Sequence, residues 1–343
     1  MRDRRATIME DRVVTDKGVR MTEPRAARDA QAAGFLSAMG EPIAAVRDSP
    51  DLRILQPSGF GGGSGTVEQF IAAVVRLARE DGQAAWTAAA VNAAAFEIGG
   101  APEPAGADVW GHARQALVTS AYRGAGRLTG ADRVLSGRWP SVPAARWADW
   151  FVLPADDAGS ACRVLVARRD VDIAPVAGPA SAWAEVTVTG VAVAPHHVLE
   201  SRSGASISAQ VLLSAGMAAA VAGAADGAWC AHVAQMKERL ATSHGGAEVA
   251  DQAPSTVHVA HTACDIDAAI LQITDAAHHA DDLAAAVRAH RQAVARAREA
   301  ADTLMSAGRR HALDAADPVC RLWGDVHAGA RLAISLFDCL DRQ

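Results

Sequence analysis

Apolar residues change their spacing twice along this chain, and the changes divide it into three parts behind a leader. Between Thr66 and Glu80, Phe70, Val74 and Leu77 recur at i, i+4 and i+7, the spacing of one helix face, and Thr66 can cap the first turn. From about Gly82 to Phe96 nearly every residue is small or apolar, which predicts a helix buried all round inside a larger assembly. A short helix is expected from Asp108 to about Leu117, and Arg25 to about Arg47 permits another. Met1 to Pro24 are charged and aperiodic and read as a disordered leader, with Met21 as an alternative start.

At Val118 the period shortens. Val118–Tyr122, Arg133–Leu135, Trp150–Leu153, Cys162–Ala167, Val171–Val176 and Glu185–Val193 read as short strands separated by Gly, Pro and Asp turns, a compact antiparallel β domain. Glu185–Val193 alternates cleanly, so one of its faces should be buried. After about Ser206 the pattern is helical again. Helices are predicted over Ser206–Ser243, from Pro254 to about Asp281, over Asp282–Ala307 and over Asp317–Leu340, and four amphipathic helices of that length make a four-helix bundle. The domain boundaries that follow are 1–24 (leader), 25–117, 118–203 and 204–343.

Composition narrows the function classes. Half of the 343 residues are apolar and 21% are charged, which fits a globular chain rather than a disordered one. A net charge of -6 argues against a nucleic-acid partner. No apolar run of about 18 residues escapes charge or Gly punctuation, so no membrane span is expected. The charged N-terminus shows no secretory signal. Five scattered cysteines without a C-x-x-C spacing suit reduced thiols in a cytoplasm. Much Ala and Arg beside little Lys suggests a high-GC bacterial genome.

Two candidate sites can be set aside on spacing. The loop Pro57-Ser-Gly-Phe-Gly-Gly-Gly-Ser-Gly65 lacks the Gly-Lys-Ser/Thr that a phosphate-cradling loop needs. His258 with His261, and His278 with His279, sit on helical segments, and an i, i+3 spacing can bind metal, but no third ligand has suitable spacing, so no metal site is expected. Pro140 and Pro143 should sit at a strand edge or bulge, because proline cannot donate to a ladder, and Trp139 beside them would wall a pocket or fill the core.

The stretch Leu135-Ser-Gly-Arg-Trp-Pro, followed by Ala148-Asp-Trp-Phe-Val-Leu153, resembles the β-domain signature of the acyl-CoA dehydrogenase fold in its flavin-dependent aromatic monooxygenase branch. A second match runs from Met305 to Arg331, where Pro318, Arg321, Asp325 and His327 fall on the branch's C-terminal pattern. Gly82-Gln-Ala-Ala-Trp86 resembles its Gly-Ser-x-x-Trp, and Ala194-Pro-His-His-Val-Leu199 its exit from the β domain. The resemblance covers nearly the whole chain and implies an α+β fold with an N-terminal helical domain, a middle antiparallel β-barrel domain and a C-terminal four-helix bundle.

It also implies a chemistry: a reduced-flavin-dependent monooxygenase that takes FMNH2 or FADH2 from a separate reductase and hydroxylates an aromatic or polyketide-type substrate in bacterial secondary metabolism. A dimer or tetramer would be the assembly. On this resemblance Trp139, Pro140, Ser141, Arg239 and Gly308 are the flavin candidates, with Arg239 directed at phosphate, often across a subunit interface. Asp325 and His327 are the catalytic candidates, His327 being oriented through Asp325 or another carboxylate, and Trp86 and Trp110 the candidates for lining a substrate cavity. The chain departs from the pattern at three polar positions, where Pro143-Ala144, Gln83 and Leu332 replace Ser-Gly, Ser and His. Those departures leave a second reading open, a flavin-free or catalytically altered relative acting as a structural partner or non-redox enzyme. A dehydrogenase would need a glutamate placed to take an α-proton, and the bundle segments offer none at the family's two places.

Overall fold

Helix α1 (Val67–Ala78) starts at a capping box, in which the Thr66 hydroxyl accepts from the Gln69 backbone N–H and the Gln69 side chain accepts from the Thr66 N–H. Its apolar face, Phe70, Ile71, Val74 and Val75, is buried. Helix α2 (Gly82–Gly99) is buried along almost its full length, and Asp81 caps it by accepting from the Gln83 and Ala84 N–H groups. In a computed structural model, residues 48–175, 183–200, 208–242, 246–278, 282–307, 314 and 316–342 are described. The expected leader, the helix at 25–47, Ser206, His279 and Gly308 lie outside them.

Helix α3 (Glu103–Trp110) lies earlier than the expected 108–117. Pro102 precedes it and Pro104 occupies the first turn, where the missing N–H forfeits no helical bond. The Trp110 indole then donates to the Ala116 carbonyl at 3.1 Å and turns the chain back.

The strands are β1 (Val118–Ser120), β2 (Ala125–Thr129), β3 (Val134–Val142), β4 (Trp150–Asp157), β5 (Ser160–Ala167), β6 (Asp172–Pro175), β7 (Ala184–Ala192) and β8 (Val198–Glu200). They form one open sheet in the order β6-β7-β3-β2-β4-β5-β8, with β1 attached to β4. The expected antiparallel barrel is thus corrected to a mixed, unclosed sheet. β2 and β3 are an antiparallel hairpin, but β4 returns on the far side of β2, so β1 and then β2 pair with it in parallel. β2 escaped the sequence pattern because it holds one large apolar residue, Leu128, and a glycine. It is held by pairing and by Trp139, whose ring lies against Gly126 and Gly137, where a Cβ would approach the ring to 2.7 Å.

Alternation along β4 and β5 sorts the sheet's two faces. Val152 and Leu165 pack with Ile98 of α2 and Trp110 of α3, whereas Phe151, Leu153, Val164 and Val166 join Trp139 and Val186 in a second core. Four long helices follow: α4 (Ala209–Thr242), α5 (Gly246–His278), α6 (Leu283–Ala307) and α7 (Pro318–Leu340). α5 runs through Pro254 instead of beginning there.

α4 packs against α5, α6 and α7 on one side and against α1 and α2 on the other. It is long and apolar enough to cross a membrane, and it is the one such helix among the described residues; 94% of its apolar window is buried by the other helices. Its polar break is Ser214, which meets His290 of α6 at 2.8 Å; burial lowers the His290 pKa to about 4 and keeps the ring neutral. Gly216, Gly223 and Gly227 form one face of α4. A Cβ on Gly216 would lie 2.7 Å from the Ala89 Cβ, and one on Gly223 would lie 2.5 Å from the Val75 carbonyl oxygen.

Gly223→Val is therefore expected to destabilise the chain by about 1–3 kcal/mol, because a branched side chain would meet rigid backbone. Urea unfolding checks this, and an unchanged midpoint would show that α1 and α4 are not in such close contact.

Candidate functional site

A cavity of about 1020 Å³ opens where the C-terminal end of α2, Tyr122, strand β5, the β7–β8 link with β8, and the first turn of α4 meet. Leu55, Phe96 and Leu199 supply apolar wall; Glu97, Tyr122 and Arg163 supply the polar part. Glu97 ends a helix that is otherwise free of charge, and Arg163 interrupts an apolar strand. Their side chains, 18% exposed each, form a two-point ion pair, Nε to Oε1 at 2.7 Å and the second guanidinium nitrogen to Oε2 at 3.1 Å. The remaining guanidinium nitrogen donates to the Ala121 carbonyl at 2.8 Å, and the Ser120 hydroxyl donates to Glu97 Oε2 at 2.8 Å.

The guanidinium carbon also lies 5.1 Å from the centre of the Tyr122 ring. Burial, reinforced by the Glu97 charge, pushes the Tyr122 phenol well above its ordinary pKa, so the hydroxyl keeps its proton. The cluster is a neutralised, tightly bonded polar wall beside an apolar one. Such a wall can orient a ring bearing a hydroxyl or carbonyl.

The described residues among the site candidates singled out in sequence lie away from this cavity. Trp139 is fully buried in the sheet core, its indole donating to the Pro154 carbonyl at 3.1 Å. Pro140 and Ser141 occupy the register shift between β3 and β7, Pro140 exposed and Ser141 half-buried. Pro143 follows in the turn, where its carbonyl accepts the Thr119 hydroxyl. Trp86 and Trp110 are core residues that line neither this cavity nor the cleft of about 310 Å³ beside Asp108. Trp86 lies against Gly329 of α7, and its indole N–H and the Thr87 hydroxyl are buried with no hydrogen-bond partner among the described residues. Leu332 packs on the helical core, and Gln83 is buried at the start of α2. Arg239 is exposed near the end of α4, its Nε donating to the Gln235 carbonyl at 3.2 Å.

Asp325 and His327 do not face each other. The Asp325 carboxylate accepts from the Gly82 N–H at 3.3 Å, at the N-terminus of α2. At 1.5 Å per residue that is about 22 Å along the helix from Glu97 and the cavity. His327 Nε2 lies 2.8 Å from Asp302 of α6, and the Trp323 indole donates to the same oxygen at 2.7 Å. The carboxylate that holds this histidine is Asp302, not Asp325.

Burial, with Asp81 nearby, raises the Asp325 pKa from 3.8 to about 6, against the opposing pull of the Gly82 N–H and Arg321. Between those values the folded chain binds a proton that the unfolded chain has released, so this group's contribution to stability falls as pH rises through the interval. Asp325→Asn is expected to gain on the order of 2–3 kcal/mol relative to the unsubstituted chain between about pH 4 and pH 7. Paired urea titrations measure it, and a pH-independent difference would mean that the carboxyl is not shifted.

Sequence reasoning missed Glu97, Arg163 and Tyr122, although a lone charge in an apolar helix and another in an apolar strand were visible signals. It also missed the meeting of Asp108 with His196 and His197, because 88 residues separate the first two.

Comparison with known proteins agrees with the architecture. Residues 215–335 match the acyl-CoA dehydrogenase C-terminal domain model. The oxygenase subunit HsaA of a flavin-dependent monooxygenase from Rhodococcus jostii strain RHA1 is 26% identical over 83% of this chain and 85% of its own length. The oxygenase component of an FADH2-dependent resorcinol hydroxylase from Rhizobium sp. strain MTP-10005 is 30% identical, over 33% of this chain and 28% of its own. The crystal structure of 3-HSA hydroxylase from Rhodococcus sp. RHA1 superposes with a TM-score of 0.77 at 23% identity, covering 91% of this chain and 92% of that one.

Proposed function

We propose that this chain, whose residues 215–335 match the acyl-CoA dehydrogenase C-terminal domain model, is the oxygenase component of a two-component, reduced-flavin-dependent monooxygenase. Its substrate is an aromatic or polyketide-type small molecule of bacterial secondary metabolism, and a separate cytoplasmic reductase supplies FMNH2 or FADH2. The observation that carries this reading is similarity to a flavin-dependent oxygenase subunit along 83% of the chain. The domain boundaries at 117/118 and 203/204 belong to the same reading.

The residues present suit such a cofactor and substrate. A cavity of about 1020 Å³ with one apolar and one polar wall is large enough for a flat heteroaromatic ring. Reduced flavin, when bound, supplies the two electrons with which dioxygen is split between a new ring hydroxyl and water. The chain's own part is to bind, orient and exclude water. We assign orientation of the substrate to Arg163 and Glu97, because they are the ion pair at the cavity.

Arg239 lies about 44 Å along α4 from Gln210 at the cavity, at 1.5 Å per residue. Its proposed phosphate contact therefore requires a second subunit, and with it a homodimer or homotetramer. The half-buried Ser141 is the hydroxyl nearest the Trp139-Pro140 step on its C-terminal side, since Pro143 offers no donor.

Anaerobic titration with reduced FMN and reduced FAD, followed by mixing with oxygenated buffer, tests the function. Saturable binding and a flavin reoxidation rate different from that of free flavin are expected. If neither flavin binds, the flavin-free, altered-scaffold reading replaces this one, as the proline and leucine at positions 143 and 332 would then explain. Arg239→Ala should weaken binding by about 1.5–3 kcal/mol. An unchanged affinity would remove Arg239 from the site.

A further inference from the structure

Asp108 projects from α3, and Pro195–His197 is a single 3₁₀ turn that leads from β7 into β8. The Nε2 atoms of His196 and His197 both lie 2.8 Å from Asp108 Oδ2. Adjacent residues seldom send their side chains to one point. Here the tight turn brings the two rings to a centroid separation of 4.5 Å with planes inclined at 66°. His197 is further fixed by edge contact with Trp150, at 5.7 Å and 78°. The three donor atoms all fall within 4.8 Å of one another.

A tetrahedral Zn²⁺ binds imidazole nitrogen and carboxylate oxygen at about 2.0–2.2 Å, which places its donors roughly 3.4 Å apart. The two nitrogen–oxygen separations need to open by only about half an ångström, and the two nitrogens already lie within 4.8 Å of each other. Two neutral imidazoles and one carboxylate form a borderline nitrogen and hard oxygen set, which favours Zn²⁺ over Mg²⁺ or Ca²⁺. The geometry points to Asp108, His196 and His197 as a three-ligand site for a first-row divalent cation, Zn²⁺ foremost, with the fourth position open to water or a ligand. The cation would tie α3 to the end of β7 at the rim of the large cavity, which His196 lines, and of a cleft of about 310 Å³, which Asp108 lines. The inference stands independently of the flavin reading.

The test uses the full chain after chelator treatment, titrated with ZnCl2 by calorimetry and with CoCl2 by visible absorbance. One equivalent bound, with the intense bands of tetrahedral Co²⁺ and a raised thermal midpoint, is expected. Asp108→Asn and His196→Ala should each weaken Zn²⁺ binding by at least about tenfold, taking the lower end of what supporting contacts are worth as the floor for a ligand. The thermal midpoint without metal identifies any variant that has merely lost its fold, and Asp108→Asn, which preserves shape and occupies an exposed position, is the variant least prone to do so. A control, His258→Ala with His261→Ala, removes an exposed histidine pair on α5 and should leave binding unchanged. No stoichiometric binding to the unsubstituted chain, or binding lost only in the control, would overturn the site.

Discussion

Five of the helices pack on one helix that offers few large side chains. α4 is built of alanine, glycine and a few branched residues, and α1, α2, α5, α6 and α7 all pack on it. Hydrophobic burial alone would permit looser arrangements, since alanine contributes little area per residue. Close approach makes up the difference: where Gly216, Gly223 and Gly227 face α1 and α2, backbones meet without intervening side chains, and many weak dispersion contacts accumulate. The arrangement is therefore sensitive to added volume more than to lost polarity. Ser214 and His290 introduce one polar contact into this apolar region, and burial keeps that histidine neutral.

α2 transmits this constraint to the sheet, and its two ends are treated differently. At the N-terminus Asp81 and Asp325 both accept from the first-turn N–H groups, as the helix dipole favours. Asp325 is buried there, with Asp81 beside it, and so takes up protons more readily. At the other end Glu97 would be unfavourable beside the free carbonyls, and Arg163 from β5 neutralises it. The ion pair thus fastens the helical layer to the sheet at the place where the cavity opens. Asn92, fully buried midway, bonds the Leu55 N–H and the Asp51 and Ala88 carbonyls, so the chain before α1 is held to the same helix.

The helices were legible because their signals are local. Thr66 and Gln69 cap a helix by contacts three residues apart, and the all-round apolarity of 84–96 states its burial directly. The strands were legible where large apolar residues alternate, as in β7, and not where pairing replaces side chains, as in β2. Trp139 shows the limit at a single residue. Its position in a recognisable run was plain, yet its ring is occupied in covering Gly126 and Gly137, and its N–H in bonding Pro154.

By itself, then, the sequence determined which segments are helical, that a strand-rich segment lies between two helical ones, and which fold superfamily the chain resembles. Only the tertiary structure decided the order and openness of the sheet, the pairing of His327 with Asp302, and the placing of Asp325 and Glu97 at opposite ends of one helix. It also decided the meeting of Asp108 with the His196-His197 pair. Capping and periodicity act over a few residues and are written in neighbouring letters. Partnerships across tens of residues depend on where whole helices and strands come to rest, and for the helices packing at α4 sets that.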